Sequence, residues 1–262
     1  MTLLTTTLED QVVGALDTVI DPELDEPITD LGFVRTIEID DRGVRVHLRL
    51  PTSFCSPNFS WLMASDALDA LDKVPDIGRV DVFLDDHHDS EKINQGLANR
   101  AGYRGTFGVE ALESLDSLRL TFQRKAHTAA MERVCTALLA AGTWKIDDLA
   151  DLTLADLPDD SYTEALLNRR RDLGLDNSWD QPVLVDEHGV PISPGDAPMR
   201  LRFAKSVRIS MEGNSHFCRG LLATRYPDEG TEQVPQISNT RDLNPHSDSS
   251  RQRRNEQIRS AS

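Results

Sequence analysis

Hydrophobic positions follow two different periods along the first ninety residues. In LEDQVVGALDTV (8–19), Val12, Val13, Leu16 and Val19 recur at helical spacing, which predicts an amphipathic helix. Pro22 stops it, because proline disfavours helix at the residue before it. DLGFVRTIEID then leads into Asp41-Arg42-Gly43, a turn signal. Beyond it Val44, Val46, Leu48 and Leu50 alternate with Arg45, His47 and Arg49. Two strands with one buried and one wet face are expected. Ser56-Pro57 marks a helix start, with serine as cap and proline at the first helical position. That helix should run through Trp61, Ala64, Leu68 and Leu71 to about Lys73, and RVDVFLD (79–85) reads as a third strand.

Beyond residue 90 the pattern is helical. SEKINQGLANRAG is a short helix, and Leu115, Leu118, Phe122, Ala129 and Leu138 share one stripe of a long one that Gly142 should stop. Shorter helices are expected near 152–157 and 160–173, a small hairpin over 183–192, and a helix over 215–226 capped by Ser215. From Pro227 onward large apolar residues almost vanish, which predicts a disordered tail. The chain therefore divides into a two-layer α-β-β-α-β domain (1–90), a mainly helical extension (91–226) and a tail (227–262). The expected class is α/β (α+β).

Charge narrows the partners. The formal net charge is −16, and residues 1–90 hold 19 acidic against 6 basic residues. Phosphate recognition needs a positive footprint, so nucleic acid and anionic membranes are poor partners for this region. No apolar run approaches the ~18 residues of a membrane span, and the N-terminus lacks the features of a secretory signal, so a cytoplasmic protein is expected. The cysteines, Cys55, Cys135 and Cys218, are odd in number and far apart, with no CxxC. A disulfide framework or zinc ribbon does not fit that pattern.

The candidate chemistry is concentrated in a few places. Cys55 sits in RLPTSFCSPNFSWLM, between the second strand and the second helix, where a helix N-terminus favours thiolate. Asp21, Glu23 and Asp30 are carboxylates that suit iron beside a thiolate, although Asp30 also fits a turn cap. LDDHHDSEKIN places His87 and His88 among acids after the third strand. His216 and Cys218 in SHFC are a weaker candidate pair, and Cys135, among Ala and Leu, reads as core. GxSxG, P-loop, GxGxxG and HExxH motifs are absent from the sequence, which argues against an enzyme.

Asp21-Pro22-Glu23, Asp30-Leu31-Gly32-Phe33-Val34, Thr52 and Cys55 occur in an order and spacing that resembles one family. It is that of the SufT/PaaD-like metal–sulfur cluster assembly factors, here as a long form with a C-terminal helical extension. The resemblance covers roughly 8–90. The family's Cys-Pro is here Cys-Ser-Pro, which places the cysteine half outside the helix cap. The resemblance implies a non-catalytic role in assembling or transferring iron–sulfur clusters, through Cys55 and through contacts with client metalloproteins and cluster-assembly proteins. Longer members of the family carry a His-rich step like the one at His87.

One cysteine cannot hold a cluster, which normally takes four protein ligands. Iron or a cluster would therefore be held transiently, completed by a second copy in a homodimer, by a client or by a small thiol. Two alternatives stand beside this reading. One is a dedicated iron-delivery or folding helper of a di-iron monooxygenase. The other is a metal-dependent enzyme built on the His87/His88 loop.

Overall fold

The computed structural model describes residues 6–111, 115–227 and 234–241. It divides into two units. The first holds the described parts of Met1–Val19, Pro27–Thr106 and Arg225–Ser262, and the second holds Ile20–Glu26 and Phe107–Thr224. No helix among the described residues is long and apolar enough to cross a membrane.

In the first unit, α1 (Leu8–Asp17) starts at a capping box in which Thr7 and Asp10 satisfy each other's backbone amides. β3 (Val34–Asp40) and β4 (Gly43–Leu48) form the antiparallel hairpin that the alternation predicts. α2 (Pro57–Leu71) leads to β5 (Arg79–Leu84), which pairs parallel with β4. Val44, Val46, Leu48, Val80, Val82 and Leu84 are buried with Trp61, Leu68 and Leu71 of α2, whereas Arg45, His47 and Asp81 occupy the opposite, half-exposed face. Gly43 is required where the strands start. A Cβ there would lie 1.9 Å from the Arg79 carbonyl oxygen. α3 (Ser90–Ala98) packs on β5, and the Asn94 amide bonds both the N–H and the C=O of Leu84, closing the end of that edge strand. A short α4 (Gly102–Phe107, whose last residue belongs to the second unit) follows.

Part of the expected disordered tail is ordered. Gln236–Asn239 forms β6, parallel to β3, giving the strand order β5-β4-β3-β6. Arg241 anchors it by donating to the carbonyls of Asp40, Asp76 and Ile77. Its side chains are mostly exposed, so backbone pairing rather than apolar burial holds it there. The rest of the expected tail, 228–233 and 242–262, lies outside the described residues.

The second unit is helical. α5 (Leu115–Ala140), α6 (Ser161–Asp172) and α7 (Ala197–Arg225, whose last residue belongs to the first unit) are joined by short 3-10 turns at Ile146–Asp151, Leu154–Asp156 and Pro194–Asp196. Met131, Val134, Cys135, Leu149, Leu154, Leu166, Val183, Leu184 and Leu201 form its core, with Cys135 fully buried as expected. The expected hairpin at 183–192 is reduced to one bridge, Val185 to Pro191. α7 begins 18 residues before the helix start expected at Ser215, and Ser215 is an interior residue that donates to Glu26 rather than a cap. The segment from Ile20 carries two-residue strands, β1 (Ile20–Asp21) and β2 (Glu26–Pro27, whose second residue belongs to the first unit).

Candidate functional site

Because β4 and β5 are parallel neighbours, their following loops leave the sheet at the same end. In such sheets that end is where ligand sites form. The loop after β4 carries Thr52 and Cys55. The loop after β5 carries His87 and His88. β3 is antiparallel to β4, so the Asp30-Leu31-Gly32-Phe33 approach to β3 also arrives there. Arg49 fastens it by donating from its amide to Phe33 O (2.8 Å) and from Nε to Gly32 O (3.0 Å). Gly32 has φ 73°, the left-handed conformation that makes glycine the natural choice in this turn. Asp30 is exposed on the same turn.

Cys55 is half-buried and lies one residue before the N-cap of α2, which is Ser56. The cysteine thus lies wholly outside the cap rather than half outside it. Ser56 makes no side-chain cap bond; its carbonyl instead accepts from the Ser60 hydroxyl. The Cys55 thiol is 3.6 Å from Thr52 Oγ1, and Thr52 Oγ1 also accepts from the Phe54 amide. Phe54 is 82 % exposed, with its ring tilted against His88 at 6.1 Å.

His87 and His88 divide their roles. His87 is buried, and its Nδ1 accepts from the Asp89 amide at 3.0 Å. That leaves Nε2 as the protonated nitrogen. Nε2 donates to Cys55 O at 2.8 Å and is 3.2 Å from Ser60 Oγ. His87 thus spends both nitrogens on protein groups and holds the backbone of the thiol loop. His88 is exposed, and its amide donates to Ser53 O at 2.9 Å.

A fourth segment arrives from far along the chain. Arg225 donates to Leu50 O (3.1 Å) and to Asp86 O, and the Tyr226 hydroxyl donates to Asp86 Oδ2 (3.1 Å). The guanidiniums of Arg35, Arg49 and Arg225 lie 5.2–5.4 Å from the centre of the Tyr226 ring. Arg35 is the extra residue at a register shift in β3, and it pairs with Asp85 at 3.1 Å and Asp86 at 3.6 Å. Burial, with the Asp86 carboxylate facing it, pushes the Tyr226 phenol up to about 12, so it stays a donor. Sequence patterning did not single out Arg225, Tyr226, Ser60 or Phe54. Phe54 alone had a signal, as a large apolar residue in a Ser/Pro loop.

Four of the proposed ligands fall in the other unit. Asp21 is buried, and its Oδ1 accepts the amides of Glu23 (2.8 Å) and Leu24 (2.9 Å), which makes it a turn cap. Burial pushes its carboxyl up to about 6 against those two bonds. Glu23 lines a small cavity with Phe122, Lys125, Met211 and Asn214. Their acidic neighbours carry the ion pairs: Asp25 with Arg169 (2.7 Å) and Glu26 with Arg219. His216 is exposed and Cys218 half-buried, both in the interior of α7. Among the described residues, no three His, Cys, Asp or Glu side chains gather as a metal-binding group.

Residues 9–82 match the family described as iron–sulfur cluster assembly protein. An uncharacterized protein of Methanocaldococcus jannaschii is 30 % identical over 93 residues, which is 35 % of this chain and 96 % of that protein. The chain belongs to the iron–sulfur cluster assembly protein family. The matched segment contains Cys55 and the strands that present it, and it supports a role in cluster assembly. The second unit, from Phe107 on, lies outside that match. No solved structure gives a significant match to the chain.

Proposed function

We propose that this protein is a non-catalytic maturation factor of the SufT/PaaD-like type. It handles iron or an iron–sulfur cluster as cargo for client metalloproteins, with Cys55 as its metal-facing ligand. The observation that carries the reading is the placement of Cys55: a half-buried thiol at the shared end of two parallel strands, on a loop whose backbone His87 holds. Cysteine thiolate is a soft ligand suited to iron–sulfur cargo. A single thiol with one hydroxyl, Thr52 Oγ1, 3.6 Å away suits a brief hold, with the remaining ligands supplied by a client, a cluster-assembly protein, a small thiol or a second copy. His87 has both ring nitrogens engaged, which weighs against a catalytic metal centre on the His87/His88 loop.

A second reading, a dedicated helper of one client such as a di-iron monooxygenase, is favoured by the size of the helical unit beyond the family match. The decisive experiment compares wild type with Cys55→Ala in two assays: anaerobic iron and sulfide uptake, and activity of a client metalloprotein matured beside it. Loss of both supports the thiol role, and full client activity with Cys55→Ala sinks it.

A further inference from the structure

We propose that Arg225 and Tyr226 are positioning residues for the Cys55 thiol. The inference deepens the cluster-assembly reading and takes its purpose from it. The thiol loop is held at three backbone points: Leu50 O by Arg225, Ser53 O by the His88 amide, and Cys55 O by His87. Two of these holds come from the loop after β5, so the thiol loop is only as fixed as that loop. At its turn stands Asp86 at φ 53°, a left-handed conformation that aspartate adopts more readily than most residues and that neighbouring bonds support further.

Arg225 and Tyr226 supply that support. Arg225 grips the Asp86 carbonyl and Tyr226 its carboxylate, while Arg35 stands 3.6 Å from the same carboxylate. Arg225 therefore bonds the start of the thiol loop and the turn of its partner loop at once. Every one of these groups lies in the first unit. Removing the Arg225 side chain frees Leu50 O and Asp86 O together. Asp86 then relaxes, and through His87 the Cys55 backbone loosens. Neither residue touches the thiol, so their action on it is indirect.

The test reads the thiol directly. The reduced full-length chain is treated with iodoacetamide, and alkylation of Cys55 and Cys218 is followed by peptide mass spectrometry. Cys218 is half-buried in α7 of the other unit and serves as an internal control; Cys135 is fully buried. Arg225→Ala is expected to raise the Cys55 rate relative to Cys218 by about three- to tenfold, because the loop opens locally. Tyr226→Phe, which keeps the ring and loses one hydrogen bond, is expected to raise it about twofold. Arg225→Lys keeps one donor and should recover part of the Arg225→Ala change. An unchanged ratio in Arg225→Ala and Tyr226→Phe, or a parallel rise of both thiols, overturns the proposal. If Arg225→Ala does not fold, Tyr226→Phe decides alone. An unchanged ratio leaves the cluster-assembly reading standing. Full client activity in Cys55→Ala sinks that reading, and the alkylation ratio still decides the positioning role.

Discussion

His87 Nε2 donates to the carbonyl oxygen of Cys55 across 2.8 Å, tying the loop after β5 to the loop after β4. Its other nitrogen accepts from Asp89, so the ring is a brace between two backbones. His87→Ala is expected to cost about 1–3 kcal/mol, because it leaves part-buried backbone groups without partners. His87→Gln should cost less, since its amide can still donate. Urea unfolding of both variants checks this. Equal losses would show that the donor at this position contributes nothing.

Phe54 is exposed, so Phe54→Ala should change stability by less than about 0.5 kcal/mol. If the thiol loop faces a client, the same substitution should weaken client binding by about tenfold, as loss of an aromatic anchor does. A melting curve beside a titration with the client separates the two effects. Unaltered affinity would remove Phe54 from the contact surface.

His127, in the second unit, is fully buried, and neither ring nitrogen has a hydrogen-bond partner. Burial, aided by Arg170 and Arg200, holds its pKa down at about 4, against 6.5 for an ordinary histidine. The unfolded chain therefore binds a proton between those values that the folded chain refuses. Stability is complete above about pH 6.5 and is lost as pH falls toward 4. The size of this dependence is about 3 kcal/mol. His127→Leu should flatten it without loss at pH 7. Unfolding free energies at pH 7 and pH 4.5 decide, and an equally steep loss in the variant would contradict the assignment.

Asp21 works in the opposite direction over an overlapping range. Its folded pKa, about 6, lies above its ordinary value of 3.8, so the folded chain holds the proton more tightly. The contribution of Asp21 is fully present below about pH 4 and is lost as pH rises through 6. Asp21→Asn keeps the acceptor for the Glu23 and Leu24 amides and removes the buried charge. It should stabilise the protein by about 1–3 kcal/mol at pH 7, with the gain fading at pH 4. No gain at pH 7 would show that the carboxylate is better solvated than its burial implies.

Gly43→Ala should destabilise the first unit by about 2–4 kcal/mol, the range of severe overpacking. The added methyl would meet Arg79 backbone atoms at 1.9–2.6 Å, and the backbone cannot swing aside as a side chain can. Circular dichroism melts of the variant check it; a melt like wild type would mean that β4 and β5 can part here at little cost.

The first unit was legible where one physical rule governed. Apolar spacing over 8–19 and Pro57 mark two helices, and alternation from Val44 to Leu50 marks a strand with one buried face. α7 was read too short because its buried positions include Arg200, Ala204 and Ser215, which do not count as an apolar stripe. β6 reads Gln-Ile-Ser-Asn, and a strand added by backbone pairing leaves little trace in side chains. Cys55 and His87 were visible by residue type. Their relation was not, because it depends on β4 and β5 being parallel. Arg225 lies 175 residues from the carbonyl it bonds, a distance over which no local pattern reaches.

β6 also bears on how shortened forms of this protein would behave. With Gln236–Asn239 in place, the outer rim of β3 has its amides and carbonyls matched. A chain ending near residue 90 would leave that rim bare, and a bare rim invites another molecule to dock strand against strand. Such a fragment would tend to clump in the tube, and weak activity from it would speak of lost material before it spoke of lost chemistry.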